Sequence, residues 1–181
     1  MLQRGYNPNA VDTEFGPPLS LAVHKGHLDV VKLLVKHKAD VNIQCNAGIR
    51  PVHMACRGRH TKVLAYLLDQ DADILAVQPN TKDTVVHMAA KHSDTEILKT
   101  IFRHKESDKL VDKQNAKKET ALHEAARNGF PKVVRFLLGK DFQKAFFNRK
   151  GQLPIECAKG ELPCSDYLKG TMLMDTVRLL A

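Results

Sequence analysis

The chain has 181 residues, 43% of them hydrophobic and 27% charged, which is the balance of a folded, water-exposed protein. No apolar run approaches the roughly 18 residues of a membrane span, and Met1–Tyr6 lacks the long apolar stretch that a secretory leader carries after its charge. Four irregularly spaced cysteines, Cys45, Cys56, Cys157 and Cys164, argue against a disulfide framework and for a reducing cytoplasmic setting, with the nucleus also open, while a net charge of +8 admits anionic partners.

In chain order, Pro18 opens a predicted helix that runs to Lys25, its ring pre-set for a first turn. Gly26-His27 turns the chain into a second helix, 28–37, whose Val30, Val31, Leu33 and Leu34 recur at helical spacing as one apolar face. Asn46-Ala47-Gly48 supplies turn chemistry after it. A helix over 61–68 follows, burying Val63, Leu64, Leu67 and Leu68, with Tyr66 packed between helices and Cys56 in the core register of the helix before it. Ile97, Leu98, Ile101 and Phe102 make the next such face. The charged run Arg103–Lys109 then reads as a longer, solvated loop. Val133, Val134, Leu137 and Leu138 form the fourth face, and Phe142, Phe146 and Phe147 after it are expected to cover the end of the stack.

These elements repeat. Thr120-Ala121-Leu122-His123-Glu124-Ala125 returns as Thr84-Val85-Val86-His87-Met88-Ala89, Arg50-Pro51-Val52-His53-Met54-Ala55 and Pro17-Pro18-Leu19-Ser20-Leu21-Ala22, with a degraded copy at Leu153-Pro154-Ile155-Glu156-Cys157-Ala158. The blocks start at positions 17, 50, 84, 120 and 153, in steps of 33, 34, 36 and 33 residues. A period near 33 with this Thr-Pro-Leu-His-x-Ala core resembles the ankyrin-repeat family over nearly the whole chain.

The resemblance implies an all-α solenoid of helix-turn-helix repeats joined by hairpin loops. A partial repeat would cover residues 1–12, full repeats about 13–45, 46–79, 80–115 and 116–148, and an atypical final repeat 149–181. Gly5 and Asn9 look like the tail of a repeat whose helices are missing. The last repeat breaks at Gly160-Glu161-Leu162-Pro163 and resumes at Val177-Arg178-Leu179-Leu180. Val134 lies 14 residues past its block's start and Val177 lies 24 past its own, an insertion of ten. The apolar ending at Leu179-Leu180-Ala181 lacks the polar cap of a finished stack, so the chain is expected to continue beyond Ala181, while its start reads either as a cut from a longer protein or as an unusually abbreviated cap.

In the family the block histidine bonds backbone of its own and the next repeat, and the threonine caps the helix. That assigns His53, His87 and His123 to the scaffold, and His27 and His60 to the turns, leaving His24, His37, His92 and His104 unexplained. No zinc-type spacing, phosphate loop or nucleophile motif occurs, so neither metal, cofactor nor catalytic residue is expected.

The family's concave surface comes from hairpin tips and from the residues seven and eight places past each block's start: His24-Lys25, Arg57-Gly58, Lys91-His92 and Arg127-Asn128. Helices packed 8–10 Å apart would align Lys25, Arg57, Lys91 and Arg127 as a basic stripe, extended by Arg149 and Lys150. The expected function is binding another protein, as a monomer, through an acidic or phosphorylated segment that arginines grip bidentately, with Ile49 as an apolar anchor. The alternative is a regulatory or targeting region of a larger enzyme, channel or effector. Nucleic acid is the weaker reading, because aromatic platforms are scarce. Asn42, in Asp40-Val41-Asn42, resembles an asparaginyl-hydroxylation context of such repeats.

Overall fold

A computed structural model describes residues 7–11, 16–45, 48–92, 94–143, 145–158 and 168–169. Among these, the elements are helices α1 (Pro18–Lys25), α2 (Leu28–Lys36), α3 (Pro51–Arg57), α4 (Thr61–Asp69), α5 (Val85–Lys91), α6 (Thr95–Ile101), α7 (Ala121–Arg127), α8 (Pro131–Leu138) and α9 (Pro154–Cys157). The odd-numbered helices pack in one row, α1 on α3, α3 on α5, α5 on α7 and α7 on α9. The even-numbered helices form a second row behind them. No strand forms among the described residues. The architecture is an all-α repeat solenoid, as the block spacing predicts.

Each pair is short because its backbone is turned sharply at fixed places. After the first helix the chain enters a left-handed conformation at Gly26 (φ 75°), Arg59 (φ 59°) and Gly129 (φ 68°). After the second helix it does so at Lys38, Asp71 and Asp141. Gly26 is required on a second ground: the His60 ring crosses it to reach the His24 carbonyl at 3.0 Å, and a Cβ there would collide with that ring.

The core is a row of neighbour interfaces. Leu19, Leu64, Leu67, Ile97, Leu98, Ile101, Leu122 and Leu137 are fully buried along it. Three imidazoles stitch the rows. The backbone N–H groups of Arg50, Thr84 and Thr120 donate to Nδ1 of His53, His87 and His123 at 3.3, 3.3 and 3.1 Å. Nδ1 therefore carries no proton, and Nε2–H donates onward: His53 to the Ala76 carbonyl in the loop that ends its own repeat at 3.0 Å, His87 and His123 to the Glu119 and Gln152 carbonyls of the following repeat at 2.8 and 3.1 Å. The Thr84 and Thr120 hydroxyls bond the same Nδ1 atoms at 2.9 and 3.0 Å, and each threonine closes a capping box with its histidine at the start of the helix. Burial, above all, holds all three imidazoles below their ordinary pKa.

A second set of bonds ties the loops that follow the even-numbered helices. Asn9 accepts from the Asp40 N–H at 2.8 Å and Asn42 from the Asp73 N–H at 2.8 Å. Asp112 accepts from the Gln143 N–H at 2.9 Å. Leu75 occupies the equivalent of Asn42: the Asp73 side chain accepts from its N–H as Asp40 accepts from that of Asn42. That rung has no polar side chain.

Three expectations change. Arg103–Lys109 is not simply a solvated loop, because a 3₁₀ turn, Ser107–Leu110, buries Ser107 and Leu110. Phe142 is buried against Phe102, with centroids 6.0 Å apart, whereas Phe147 stands 58% exposed. On α2 only Val31 and Leu34 are buried; Val30 and Leu33 face outward. Gly5, the Gly160–Pro163 break and the 177–180 helix lie outside the described residues.

Candidate functional site

The last turns of α1, α3, α5 and α7 bring the sequence-selected residues onto one edge of the front row. His24, Lys25, Arg57, His92, Asn128, Arg149 and Lys150 are exposed, and Ile49 is half-buried just before α3. The register differs from a simple stripe. His24, not Lys25, stands in line with Arg57, Lys91 and Arg127, and Lys25 lies one place further on, with Gly58, His92 and Asn128.

The four positions also differ in what surrounds them. Lys91 Nζ lies 2.6 Å from Asp83 Oδ2 and 3.4 Å from Glu124 Oε1. Arg127 forks onto both oxygens of Glu119, one arm at 2.9 Å, and its Nη1 is 3.5 Å from Glu124 Oε2. Asn115 of the following loop donates to Asp83 at 2.9 Å, and Asn148 does the same for Glu119 at 3.4 Å. Asp83, Glu119 and Glu124 are buried, so the cations are the solvent-facing caps of a carboxylate network.

The charge states follow from that packing. Burial on its own would raise the carboxyls of Asp83 and Glu119. The Lys91 and Asn115 bonds to the first, and the Arg127 bond to the second, outweigh it and hold both below the usual range. Burial raises Glu124, which two cations do not fully offset. Burial disfavours the Lys91 ammonium, yet Asp83 and Glu124 keep its pKa raised, and Glu119 does the same for Arg127. Three carboxylates facing two cations make this half of the groove mixed in sign.

The sequence signal for the network lies one residue before each block, at Asp83 and Glu119, eight positions upstream of the cation each one holds. The same place is Ile49 in the second repeat and Gly16 in the first. Arg57 therefore lacks that carboxylate, and among the described residues it makes no ion pair. Burial, then the positive charge of Arg57, depresses the neighbouring His92 imidazole. The uncompensated cations of the groove are thus Lys25 and Arg57, with the imidazoles of His24 and His92 beside them.

Sequence reading missed Arg59 and Asp94. Asp94 caps α6 by accepting from the N–H groups of Glu96 and Ile97, both at 3.0 Å, and holds Arg59 Nε at 3.2 Å across the repeat boundary. At the far end, Lys117, Glu119, Arg127, Lys150 and Glu156 line a cleft of about 460 Å³. Arg149 joins the edge through its backbone, whose N–H donates to the Lys117 carbonyl at 3.0 Å. Asn42 is engaged on both sides of its amide, accepting from Asp73 and donating to the Asp71 carbonyl at 3.4 Å.

No group of His, Cys, Asp or Glu among the described residues is arranged to hold a metal ion. Burial pushes the Cys56 and Cys157 thiols up, away from thiolate chemistry. No helix among the described residues is long and apolar enough to cross a membrane.

The family described as ankyrin repeats (3 copies) matches residues 1–78 and 75–150. Similar curated proteins include the ankyrin repeat and KH domain-containing protein mask-1 of Caenorhabditis elegans, 28% identical over 87% of this chain and 6% of that protein. Human Rabankyrin-5 is 30% identical over 76% and 12%. The human transient receptor potential cation channel subfamily A member 1 is 30% identical over 79% and 13%. The chain thus spans between 6% and 13% of these relatives' length. A chain in the solved complex of a predatory endopeptidase from Bdellovibrio bacteriovorus with an immunity protein superposes at a TM-score of 0.80. It is 26% identical, and the match covers 92% of this chain and 86% of that one. Repeat period, bridging imidazoles and these likenesses agree: the chain belongs to the ankyrin-repeat family, whose repeats are protein-interaction modules.

Proposed function

We propose that the chain is a non-catalytic interaction module that takes an acidic segment of a partner protein along its concave edge. Carboxylates or phosphoryl groups of that segment face His24, Lys25, Arg57 and His92, and an apolar side chain rests on Ile49. Lys91, Arg127 and Asn128 act further along through donors left over from their internal pairs, with Arg149 and Lys150 at the end. The observation that carries this reading is the contrast at one repeated position. Lys91 and Arg127 each rest on a buried carboxylate, while Arg57 faces solvent without one. A fixed surface of this kind loses little conformational entropy on binding. It works as a monomer in a reducing cytoplasmic or nuclear setting, where the thiols of Cys45, Cys56 and Cys157 stay free.

A peptide library displayed on phage and selected on the chain tests this. Enriched sequences are expected to place acidic residues beside an apolar one and to lose about tenfold or more in affinity for Arg57→Glu, whose melting transition stays in place. Arg127→Glu should instead lower stability by about 1–3 kcal/mol, because it strips Glu119 of its partner. Enrichment indifferent to Arg57→Glu sinks the proposal. The relatives' lengths favour a second reading, in which the repeats form a regulatory or targeting region of a larger protein.

A further inference from the structure

The back row holds a different feature. Successive even-numbered helices meet at three similar seams, and the chain fills each differently. Between α2 and α4, Lys32 Nζ sits 5.9 Å from the centroid of the Tyr66 ring, so that pair occupies the seam. The seam between α4 and α6 leaves a cleft of about 270 Å³, where Asp69 faces Arg103 and the charges balance. The seam between α6 and α8 opens to about 650 Å³.

One substitution and a rim without carboxylates make the third seam distinct. Where α6 is followed by Arg103, α8 is followed by Gly139, so no side chain crosses the opening. Its rim is Lys99, Lys132, Arg135 and Lys140, and no carboxylate lines it. The nearby Glu96 is paired with Lys99 at 2.7 Å. Among the described residues Lys132, Arg135 and Lys140 have no carboxylate within ion-pair distance. The floor is apolar and firm: Phe136 packs on Phe102 with centroids 5.9 Å apart, Phe142 closes the cluster, and Lys140 Nζ lies 5.7 Å from the Phe102 centroid.

We infer that the seam between α6 and α8 is a second docking site, taking an acidic protein segment that inserts one apolar side chain between flanking carboxylates. Charge complementarity selects the sign of the partner, since four cations ring a cleft that holds no anion of its own. The apolar floor selects a peptide over a free phosphate, because a phosphate would leave Phe136 unused and bring no apolar surface to bury. A cleft of this volume admits a side chain or two, with the backbone lying across the rim. It faces away from the concave edge, so it stands or falls independently of the groove reading.

The test uses the whole chain with a fluorescein-labelled peptide of alternating glutamate and leucine, followed by fluorescence anisotropy and backbone amide shifts. Binding should move the amides of residues 132–140. The double variant Lys132→Glu/Arg135→Glu should weaken it about tenfold or more, and Gly139→Glu, which puts a carboxylate into the opening, should do likewise. Gly139 has an ordinary φ of −73° and its added Cβ meets nothing closer than 3.4 Å, so this variant keeps the fold. Arg57→Glu should leave the affinity read from the amides of residues 132–140 within about twofold, whatever it does to binding along the groove. The proposal is overturned if both cleft variants leave the shifts of residues 132–140 and their affinity as in the parent, if Arg57→Glu removes those shifts, or if an all-glutamate peptide matches the mixed one. Tighter binding to a random oligonucleotide or to phosphatidylserine vesicles overturns it as well.

Discussion

His53 ties its helix to the loop that ends its own repeat, His87 and His123 tie adjacent repeats, and all three do so in the neutral form, which makes the stack sensitive to mild acid. Each titrates near 6.5 when free of the fold, and burial lowers that value within it. Between the two values the unfolded chain binds more protons than the native one, so falling pH favours unfolding. The melting temperature should therefore be level above about pH 6.5 and decline progressively below it, and thermal melts from pH 7.5 to 5.0 check this. The lowered carboxyls of Asp83 and Glu119 add their own loss only at lower pH. At this scale the imidazole roles were legible, because one block dictates the bond at Nδ1 and the neighbouring repeat supplies the carbonyl. The groove charges were legible only by half. Arg127 and Arg57 occupy the same place in the repeat, and only the residue eight positions earlier, Glu119 or Ile49, decides which of them is neutralised.

The helices themselves could be read from the period, since an error of one or two residues, about 100° each around the helix, would have moved Leu122 and Leu137 off the buried line. Both are fully buried, one on α7 and one on α8. Leu122→Ala or Leu137→Ala should cost about 2–5 kcal/mol in denaturant titrations, and a neutral result would contradict the packing of both rows. What periodicity could not give was the context of an element. Ser107 and Leu110 turn inward three residues apart in a stretch dominated by charge, and one apolar residue is too faint a signal against that background. Val30 matches Val63, Ile97 and Val133 in sequence, yet it is 46% exposed where they are at most 2%, because nothing among the described residues covers that side of α2. Burial is a property of the neighbour as much as of the residue.

For the whole molecule, stability is a sum of repeat and interface contributions, and the ends contribute least. Leu21, Val30 and Leu33 stand exposed on the first full repeat, and Pro18, Leu21, Ala22, Val30 and Leu34 border an apolar hollow of about 380 Å³ there. Native-state hydrogen exchange should find the amides of α2 opening at lower free energy than those of α6, which is covered on both sides; equal protection would contradict this ordering. The 28 basic side chains are also unevenly matched at this scale, since buried carboxylates partner Lys91 and Arg127, whereas Arg57 and the Lys132, Arg135 and Lys140 of the α6–α8 seam have none within ion-pair distance among the described residues. Leu75 then acquires a mechanical meaning. On either side of it Asn42 and Asp112 fasten loop to loop with directional bonds, while at Leu75 the loop edge is packed and the directional bonds lie at the hairpin edge, where the Ala116 N–H reaches the Thr81 carbonyl at 2.8 Å and Asn115 reaches Asp83 at 2.9 Å. The two edges of the solenoid are thus not held by the same kind of contact at every step, and that joint is pinned at its hairpins rather than at its loops.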